Sequence, residues 1–189
     1  MKIIIARHGE TEENLAGIIQ WHLPWRLSSE WISQAKELGV RLKDTQIDAI
    51  FSSDLQRAMD TAMYIAQYHK TIKVEPTQKL RERDLGEYEW AIKATLPTAV
   101  DDLIAKEGES LEQLYSRAKS FLEEIKVQKY STVLFVGHRG INRALIAILL
   151  WKSYAEMLAM EKQKNTAITM FDVTNDWTIL LADNDTSHL

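Results

Sequence analysis

Two short apolar runs in the sequence each end abruptly in a turn that carries histidine. The first, Ile3 to Ala6, is followed by Arg7-His8-Gly9, and the second, Thr132 to Val136, is followed by Gly137-His138. Apolar runs of this length are typical of strands that are buried on both faces of a sheet. Because such strands occur with helices packed on the sheet, the pattern predicts an α/β protein in which both histidines follow strand ends.

The rest of the chain alternates between expected helices and strands. Apolar residues at three- and four-residue spacing predict four helices: one from Ser28 or Ser29 to Lys43, one capped by Asp54 that runs to Ala66, one from Ser110 to Val127, and one from Asn142 to Trp151. A weaker helical pattern covers Ala91 to Lys106. Further strands are expected at Asp48 to Ser52, at Thr71 to Val74, and as a hairpin of Thr166 to Val173 and Trp177 to Leu181 that turns at Asn175-Asp176. A charged loop, Pro76 to Trp90, separates the two halves. The order predicts one domain, residues 1–189, with a mostly parallel sheet between helical layers.

Composition narrows the class of function. A net charge of -4 and a pI near 5.8 argue against a general nucleic-acid-binding protein, which needs an excess of basic residues. The longest apolar run, Ala144 to Trp151, is far shorter than the roughly 20 residues of a membrane-spanning helix, and the N-terminus shows no export signal. With no cysteine, disulfides and thiolate metal sites are excluded. We therefore expect a cytoplasmic protein that binds neither nucleic acid nor membrane, and its oligomeric state stays open.

The strand ends also bring candidate functional residues together. Ligands of open α/β sheets bind at the carboxyl ends of the strands, where His8 and His138 are expected to meet. Arg57 follows a third strand and falls near the start of a helix, whose partial positive charge favours anions. Singly, a histidine, an arginine in a first helical turn, or the loop acid Glu82 is more often an ordinary structural or solvated side chain. Three strand ends with the same kind of group indicate an anion-binding pocket.

The same segments resemble a known family in their order along the chain. Five blocks carry the resemblance: Ala6-Arg7-His8-Gly9-Glu10-Thr11 with Asn14, Phe51 to Ala58 with Thr61-Ala62, Leu80-Arg81-Glu82 with Leu85 to Glu89, Gly108-Glu109-Ser110, and Val136 to Ala144. This arrangement resembles the histidine phosphatase superfamily, also called the phosphoglycerate-mutase-like family. The resemblance implies a three-layer α/β/α sandwich with a mixed, mostly parallel central sheet.

The resemblance also implies roles for particular residues. His8 would be the nucleophile that carries the phosphoryl group, through a neutral ring whose other nitrogen is held by a hydrogen bond. Glu82 would protonate the leaving alkoxide and later activate water, so it must hold a proton when substrate binds. Gln20 would be a further substrate-binding residue. Arg139 departs from the family pattern, which often has a small residue there, and it could either add a phosphate contact or point to solvent. The phosphoryl oxygens would be held by Arg7, Arg57 and His138, with Asn14 as a neutral donor. These cations would make a metal ion or another cofactor unnecessary.

Three functions remain open from the sequence. The first is a metal-independent phosphomonoesterase acting on small phosphorylated metabolites. The second is a cofactor-dependent phosphoglycerate mutase, which is less favoured because only 25 residues separate Glu82 from Gly108, too few for the longer insertion of mutases. The third is a module that binds a phosphorylated ligand without turning it over.

Four tryptophans stand where members of the resembled family usually carry glycine. They are Trp21, Trp31, Trp90 and Trp151. Glycine positions often need a left-handed backbone or a close approach of chains, and both are unfavourable for an indole. Two interpretations remain: a divergent lineage with genuine tryptophans, or a gene in which UGA encodes glycine and was translated as tryptophan.

Overall fold

The computed structural model describes residues 1–20, 29–174 and 176–189, and its centre is one six-stranded sheet. The strands are β1 (Lys2–Arg7), β2 (Ala49–Ser53), β3 (Val74–Thr77), β4 (Thr132–Gly137), β5 (Ile168–Val173) and β6 (Thr178–Asp185). Their order across the sheet is β3-β2-β4-β1-β5-β6. The first four strands in that order are mutually parallel, and β5 runs antiparallel to both β1 and β6. The sheet is therefore mixed and mostly parallel, as predicted.

Helices cover both faces of this sheet. They are α1 (Glu12–Leu15), α2 (Ser29–Leu42), α3 (Gln56–Ala66), α4 (Leu111–Lys126), α5 (Arg139–Leu149) and α6 (Tyr154–Leu158). Four single 3₁₀ turns complete the described structure: Gln78–Leu80, Gly86–Tyr88, Lys93–Thr95 and Val100–Asp102. Helices α2 and α3 pack on one face, and α4 and α5 pack on the other. This is the predicted three-layer α/β/α sandwich.

Successive side chains along the central strands point to opposite faces of the sheet, so each strand contributes to the core on both faces. In β1, Ile3 and Ile5 join the core under α4 and α5, whereas Ile4 and Ala6 join the core under α2 and α3. All four side chains are at most 1% exposed. A strand of this kind must be apolar at every position, which explains why β1 is a continuous hydrophobic run. Its first charged residue, Arg7, therefore marks the edge of the core.

Several predicted elements differ from the structure in their bounds. The third strand is β3, displaced by three residues toward Pro76, which a strand at the sheet edge tolerates because its N–H side can remain unpaired. The weak helix expected over Ala91 to Lys106 is wrong, since that segment contains only the 3₁₀ turns Lys93–Thr95 and Val100–Asp102. Helix α5 begins three residues before the predicted Asn142. Ser28 and Asn175 lie outside the described residues.

Asp54 does not cap the helix that follows it. The N-cap of α3 is Leu55, which makes no side-chain capping bond, and Asp54 instead accepts two hydrogen bonds from the guanidinium of Arg81 at 2.6 and 2.5 Å. The bidentate pair between guanidinium and carboxylate is stronger than a cap to a neutral N–H. Asp54 thereby ties the end of β2 to the loop that carries Glu82. In the described part of the chain, no helix is long and apolar enough to cross a membrane.

Candidate active site

His8 lies directly after β1 and is almost completely buried, with 3% of its surface exposed. Its Nδ1 is 2.6 Å from the carbonyl oxygen of Gly9. Because a carbonyl can only accept, Nδ1 must carry the proton, which leaves the lone pair on Nε2 in the neutral ring. Burial, followed by the charges of Arg57 and Arg7, lowers the pKa of His8 well below its ordinary value. The ring is therefore neutral and its Nε2 can act as a nucleophile.

The chain around His8 is fixed from two sides. Its backbone N–H donates to the carbonyl of Gly137 at the end of β4, 3.0 Å away. The N–H of Gly9 donates to Oγ1 of Thr61, a fully buried residue of α3, also at 3.0 Å. Thr61 in turn donates to the carbonyl of Arg57. This chain of hydrogen bonds connects the strand end with the helix that carries Arg57.

Two arginines flank the imidazole. Burial lowers the pKa of Arg57 to about 10, and burial followed by the charge of Arg139 lowers the pKa of Arg7 to about 10. Both guanidiniums therefore remain charged at neutral pH. Arg7 donates from Nη1 to the carbonyl of Gln163 at 2.8 Å, which orients the planar group. A pair of oriented guanidiniums beside a neutral imidazole is suited to the oxygens of a phosphoryl group.

The start of α5 supplies the opposite wall of the site. His138 is its N-cap and is completely buried, and the centroid of its ring is 4.9 Å from that of His8. The next residue, Arg139, lines the same cleft as His8 and Glu82. The two histidines predicted to meet at strand ends do meet. The helix N-terminus adds its partial positive charge to this wall.

Glu82 lies against the first turn of α5. Both of its carboxylate oxygens accept from the backbone N–H of Gly140 at 3.0 Å, and Oε1 also accepts from the N–H of Arg83 at 2.9 Å. A Cβ atom at position 140 would overlap Oε1 of Glu82, and the side chain of Leu114 stands behind it at 3.4 Å. Glycine at 140 is thus needed for the carboxylate to approach the helix. Glu82 and His8 line the same cleft, which has a volume of about 290 Å³.

Asn14 and Gln20 belong to one hydrogen-bonded network at the side of the cleft. The amide of Asn14 donates to Oε1 of Gln20 at 2.9 Å, and Nε2 of Gln20 donates to Glu13 at 2.8 Å and to Oγ1 of Thr11. Thr11 also caps α1, accepting from the N–H of Asn14 at 3.3 Å. The short helix α1, which the sequence pattern did not predict, therefore holds both amide side chains at the cleft.

The outer half of the cleft contains charged residues that the sequence analysis missed. Lys93 and Lys162 line it together with Arg143 and Asp101. Asp101 accepts from Lys162 at 2.7 Å and from Arg143 at 3.0 Å. Burial, then the charges of Arg139 and Arg7, lower the pKa of Lys93. No motif marked these residues, because the loops that carry them meet only in the folded chain.

Arg83, the neighbour of Glu82, lines the cleft and also supports the loop behind it. Its guanidinium is buried and donates to backbone carbonyls, at 2.8 Å to Glu109 and at 2.6 Å to Leu103, with longer contacts to Val100 and Asp101. One side chain thereby satisfies the carbonyls of a loop that has little regular structure of its own. The position of Glu82 depends on this support.

Of the four conspicuous tryptophans, the three that the structure describes occupy two kinds of position. Trp90 and Trp151 are exposed and have left-handed backbones, with φ of 69° and 59°. Trp31 is buried in α2. Trp21 lies outside the described residues. Trp90 is absent from the residues that line the cleft around His8.

Among the described residues, no group of three or more histidine, aspartate or glutamate side chains has the arrangement of a metal site. The groups that line the cleft are instead a neutral imidazole, several guanidiniums and ammoniums, and the three carboxylates of Glu10, Glu82 and Asp101. The histidines and the inner arginines lie at or after the carboxyl ends of the parallel strands β1, β2 and β4, where open α/β sheets bind their ligands. Fold and site together have the charge and the kinds of group that suit an anion such as a phosphate ester.

Comparison with known proteins assigns the family. The model of the histidine phosphatase superfamily (branch 1) matches residues 3–186, and the chain belongs to this superfamily. It is 33% identical to Phosphoglycerate mutase-like protein 4 of Arabidopsis thaliana over 204 residues, which cover all of this chain and 86% of that protein. It is 32% identical to the Metal-independent phosphoserine phosphatase of the same plant, covering all of this chain and 83% of the relative. A crystal structure of phosphoserine phosphatase from Entamoeba histolytica with 3-phosphoglyceric acid superposes with a TM-score of 0.84 at 27% identity, covering 99% of this chain and 98% of that one.

Proposed function

We propose that this chain is a metal-independent phosphomonoesterase that hydrolyses small phosphorylated metabolites through a phosphohistidine on His8. The observation that carries the proposal is the buried, neutral imidazole of His8, with Nδ1 held by Gly9 and Nε2 left to attack. A nucleophile of this kind needs cations around the phosphoryl group and a nearby proton donor. Arg7 and Arg57 supply the first, and Glu82 supplies the second.

The reaction has two displacements at phosphorus. In the first, Nε2 of His8 forms a bond to phosphorus, the ester P–O bond breaks, and Glu82 gives its proton to the departing alkoxide. In the second, Glu82 takes a proton from water, whose oxygen attacks phosphorus while the P–N bond breaks. Inorganic phosphate leaves, and His8 and Glu82 return to their starting states. Arg7, Arg57 and His138 hold the phosphoryl oxygens throughout, with Asn14 as a neutral donor.

The outer cleft favours a substrate with a second anionic group. Lys93 and Arg139 make no ion pair with any carboxylate among the described residues, and Asp101 alone faces both Lys162 and Arg143. Positive charge therefore remains after a phosphate ester has neutralised the inner arginines. A carboxylate would complement it, as in a phosphorylated hydroxy or amino acid. The names of the relatives, a phosphoserine phosphatase and one bound to 3-phosphoglyceric acid, support this substrate class.

The phosphorylated intermediate is tested by rapid quench with ³²P-labelled substrate on enzyme treated with EDTA. We expect an acid-labile, base-stable phosphoenzyme in the native chain and none in His8→Ala. Glu82→Gln should slow alkyl phosphates more than p-nitrophenyl phosphate, whose leaving group needs no proton. A labelled phosphoenzyme that persists in His8→Ala would refute the assignment.

The substrate class is tested with phosphoserine against phosphoethanolamine, which differ in the carboxylate. We expect a higher kcat/KM for phosphoserine, and Lys93→Ala should lower it by about 10- to 100-fold, the range for one charge-assisted hydrogen bond. The same variant should leave phosphoethanolamine almost unchanged. Equal kcat/KM values for the two substrates would contradict the carboxylate site.

Two alternative functions give distinct results in the same assays. Interconversion of 2- and 3-phosphoglycerate that depends on the bisphosphate would indicate a mutase, the class to which the name of the relative Phosphoglycerate mutase-like protein 4 refers. Tight binding of phosphoserine without phosphate release would indicate a binding module. In both cases the phosphomonoesterase proposal would be wrong.

A further inference from the structure

Trp90 occupies a backbone position that is built for glycine. Residues 88–91 form a turn in which the N–H of Ala91 donates to the carbonyl of Tyr88 at 3.1 Å. The first central residue, Glu89, has φ of −57° and ψ of 139°, and the second, Trp90, has φ of 69°. These are the angles of a type II turn, whose second central residue needs a positive φ and is therefore normally glycine.

The pairing around this turn keeps Trp90 in the left-handed region. The N–H of Trp90 donates to the carbonyl of Ile19 at 3.1 Å, and the N–H of Ile19 donates to the carbonyl of Ala91 at 2.9 Å. Ile18 and Ile92 extend this pairing as an isolated antiparallel bridge. A negative φ at position 90, which is ordinary for tryptophan, would break these hydrogen bonds. The conformation is thus required by the fold of the segment beside the cleft.

Trp151 occupies a second position of the same kind, at the end of α5. Leu150 is the C-cap, and Trp151 follows it with φ of 59°. The N–H of Trp151 donates to Ile148 at 3.1 Å, and that of Lys152 donates to Ala147 at 2.9 Å. This pair of bonds defines a Schellman motif, in which the left-handed residue after the C-cap is most often glycine.

We infer that the native residues at positions 90 and 151 are glycines, encoded by UGA in a genome that reads this codon as glycine. Among the described residues, four others have positive φ, namely Gly17, Gly86, Asn184 and Thr166. Glycine and asparagine are ordinary in this region, whereas a bulky indole and the β-branched Thr166 are both outliers. A positive φ alone therefore does not identify a glycine, and the inference rests on the turn motifs in which Trp90 and Trp151 stand. Trp90 lies in a type II turn and Trp151 in a Schellman motif. These motifs are unrelated, but each normally has glycine at the position that the tryptophan occupies.

The backbone at Trp31 does not require glycine, because this residue lies within the regular helix α2. Its buried indole Nε1 has no hydrogen-bond partner among the described residues, which is unusual for a buried tryptophan. The inference therefore rests on Trp90 and Trp151. Trp177 provides a control, since it is exposed and its backbone is outside the left-handed region.

The coding DNA and the protein made by the source organism give the direct test. We expect UGA at codons 90 and 151, UGG at codon 177, and glycine at positions 90 and 151 in peptides analysed by mass spectrometry. UGG at codons 90 and 151, or tryptophan in those peptides, would overturn the inference.

A stability measurement tests the argument from backbone strain. It uses protein expressed with the standard genetic code, which carries tryptophan at positions 90 and 151. Trp90→Gly and Trp151→Gly should each raise Tm by about 2–4 °C, because glycine removes the left-handed strain. The gain at 151 is reduced by loss of the contact with Lys126, whose Nζ lies 6.0 Å from the indole centroid. Trp177→Gly should not raise Tm. If neither glycine variant exceeds the Trp177→Gly control, the backbone argument is refuted.

Discussion

Replacing Gly140 with alanine should separate the stability of this protein from its turnover. Gly140 is the second residue of α5, and its φ is not in the left-handed region. Alanine is the better helix former, by up to about 1 kcal/mol, so the helix itself should gain. The new Cβ, however, would overlap Oε1 of Glu82, so the end of that side chain must move away.

The loss of turnover follows from the distance that Glu82 must move. An ordinary contact with the new methyl group displaces the carboxylate by about 1 Å, and a misplacement of that size costs on the order of 10²-fold in rate. The upper bound is the whole contribution of a general acid, about 10²- to 10⁴-fold. We therefore expect Gly140→Ala to lower kcat for phosphoserine about 100-fold. The free energy of unfolding should change little, because the gain in helix propensity offsets the weaker hydrogen bond between Gly140 and Glu82.

The control is a double-mutant cycle with Glu82→Gln. If Gly140→Ala lowers kcat by moving Glu82, it should lower kcat little further in a protein that already carries Glu82→Gln. The decreases in kcat of the two single variants should therefore not multiply in the double variant. Steady-state kinetics with an alkyl phosphate and with p-nitrophenyl phosphate, together with urea unfolding, measure all four proteins. Full alkyl phosphatase activity in Gly140→Ala, or effects that multiply in the double variant, would refute the reasoning.

Three further predictions concern the support of the site. Thr61→Val should lower the free energy of unfolding in urea by about 1–3 kcal/mol and should also lower kcat, because it leaves the buried N–H of Gly9 unpaired. Thr61→Ser keeps the hydroxyl and should keep turnover. Equal kcat values in the two variants would contradict this. Burial and the charges of Arg57 and Arg7 keep His8 neutral in the folded chain, so the unfolded chain binds more protons as the pH falls through about 6.5. The free energy of unfolding should therefore decrease below that pH, and the decrease should be smaller in His8→Gln; an unchanged dependence would argue against a neutral His8. Arg117→Lys should cost about 1–3 kcal/mol in urea, since lysine cannot reproduce the bidentate contact with Glu109 at 2.7 and 2.6 Å; no change in the unfolding midpoint would show that pair to be dispensable.

The sequence predicts the fold and the inner site because both depend on local patterns. A run such as Ile3 to Ala6 can be buried on both faces only as a central strand, and the residue that follows must then emerge at the sheet edge. The convergence of His8, Arg57 and His138 follows from this rule. The structure confirms that these side chains meet, while their catalytic roles remain predictions.

Other parts of the structure depend on contacts that no local pattern records. Asp54 has the position and chemistry of a helix cap, but Arg81, distant in sequence, offers a stronger partner. Lys93 and Lys162 reach the cleft from separate loops. The segment Ala91 to Lys106 has helical composition, yet Arg83 draws its backbone carbonyls inward and holds it in irregular turns.

The first turn of α5 has a mechanical consequence for the whole site. His138 is the N-cap, Arg139 begins the helix, and the N–H of Gly140 donates to the carboxylate of Glu82, so the residues proposed to bind the phosphoryl group and the proposed proton donor contact the same helical turn. The backbone of Glu82 is anchored away from α5, through Arg81 to Asp54 and through Arg83 to the carbonyls of Glu109 and Leu103. A shift of α5 along its axis would therefore move His138 and Arg139 and would also loosen the contact between Gly140 and Glu82. Distant changes in the packing of α5 should therefore weaken substrate binding and turnover together, rather than leaving a site that binds normally but lacks its acid.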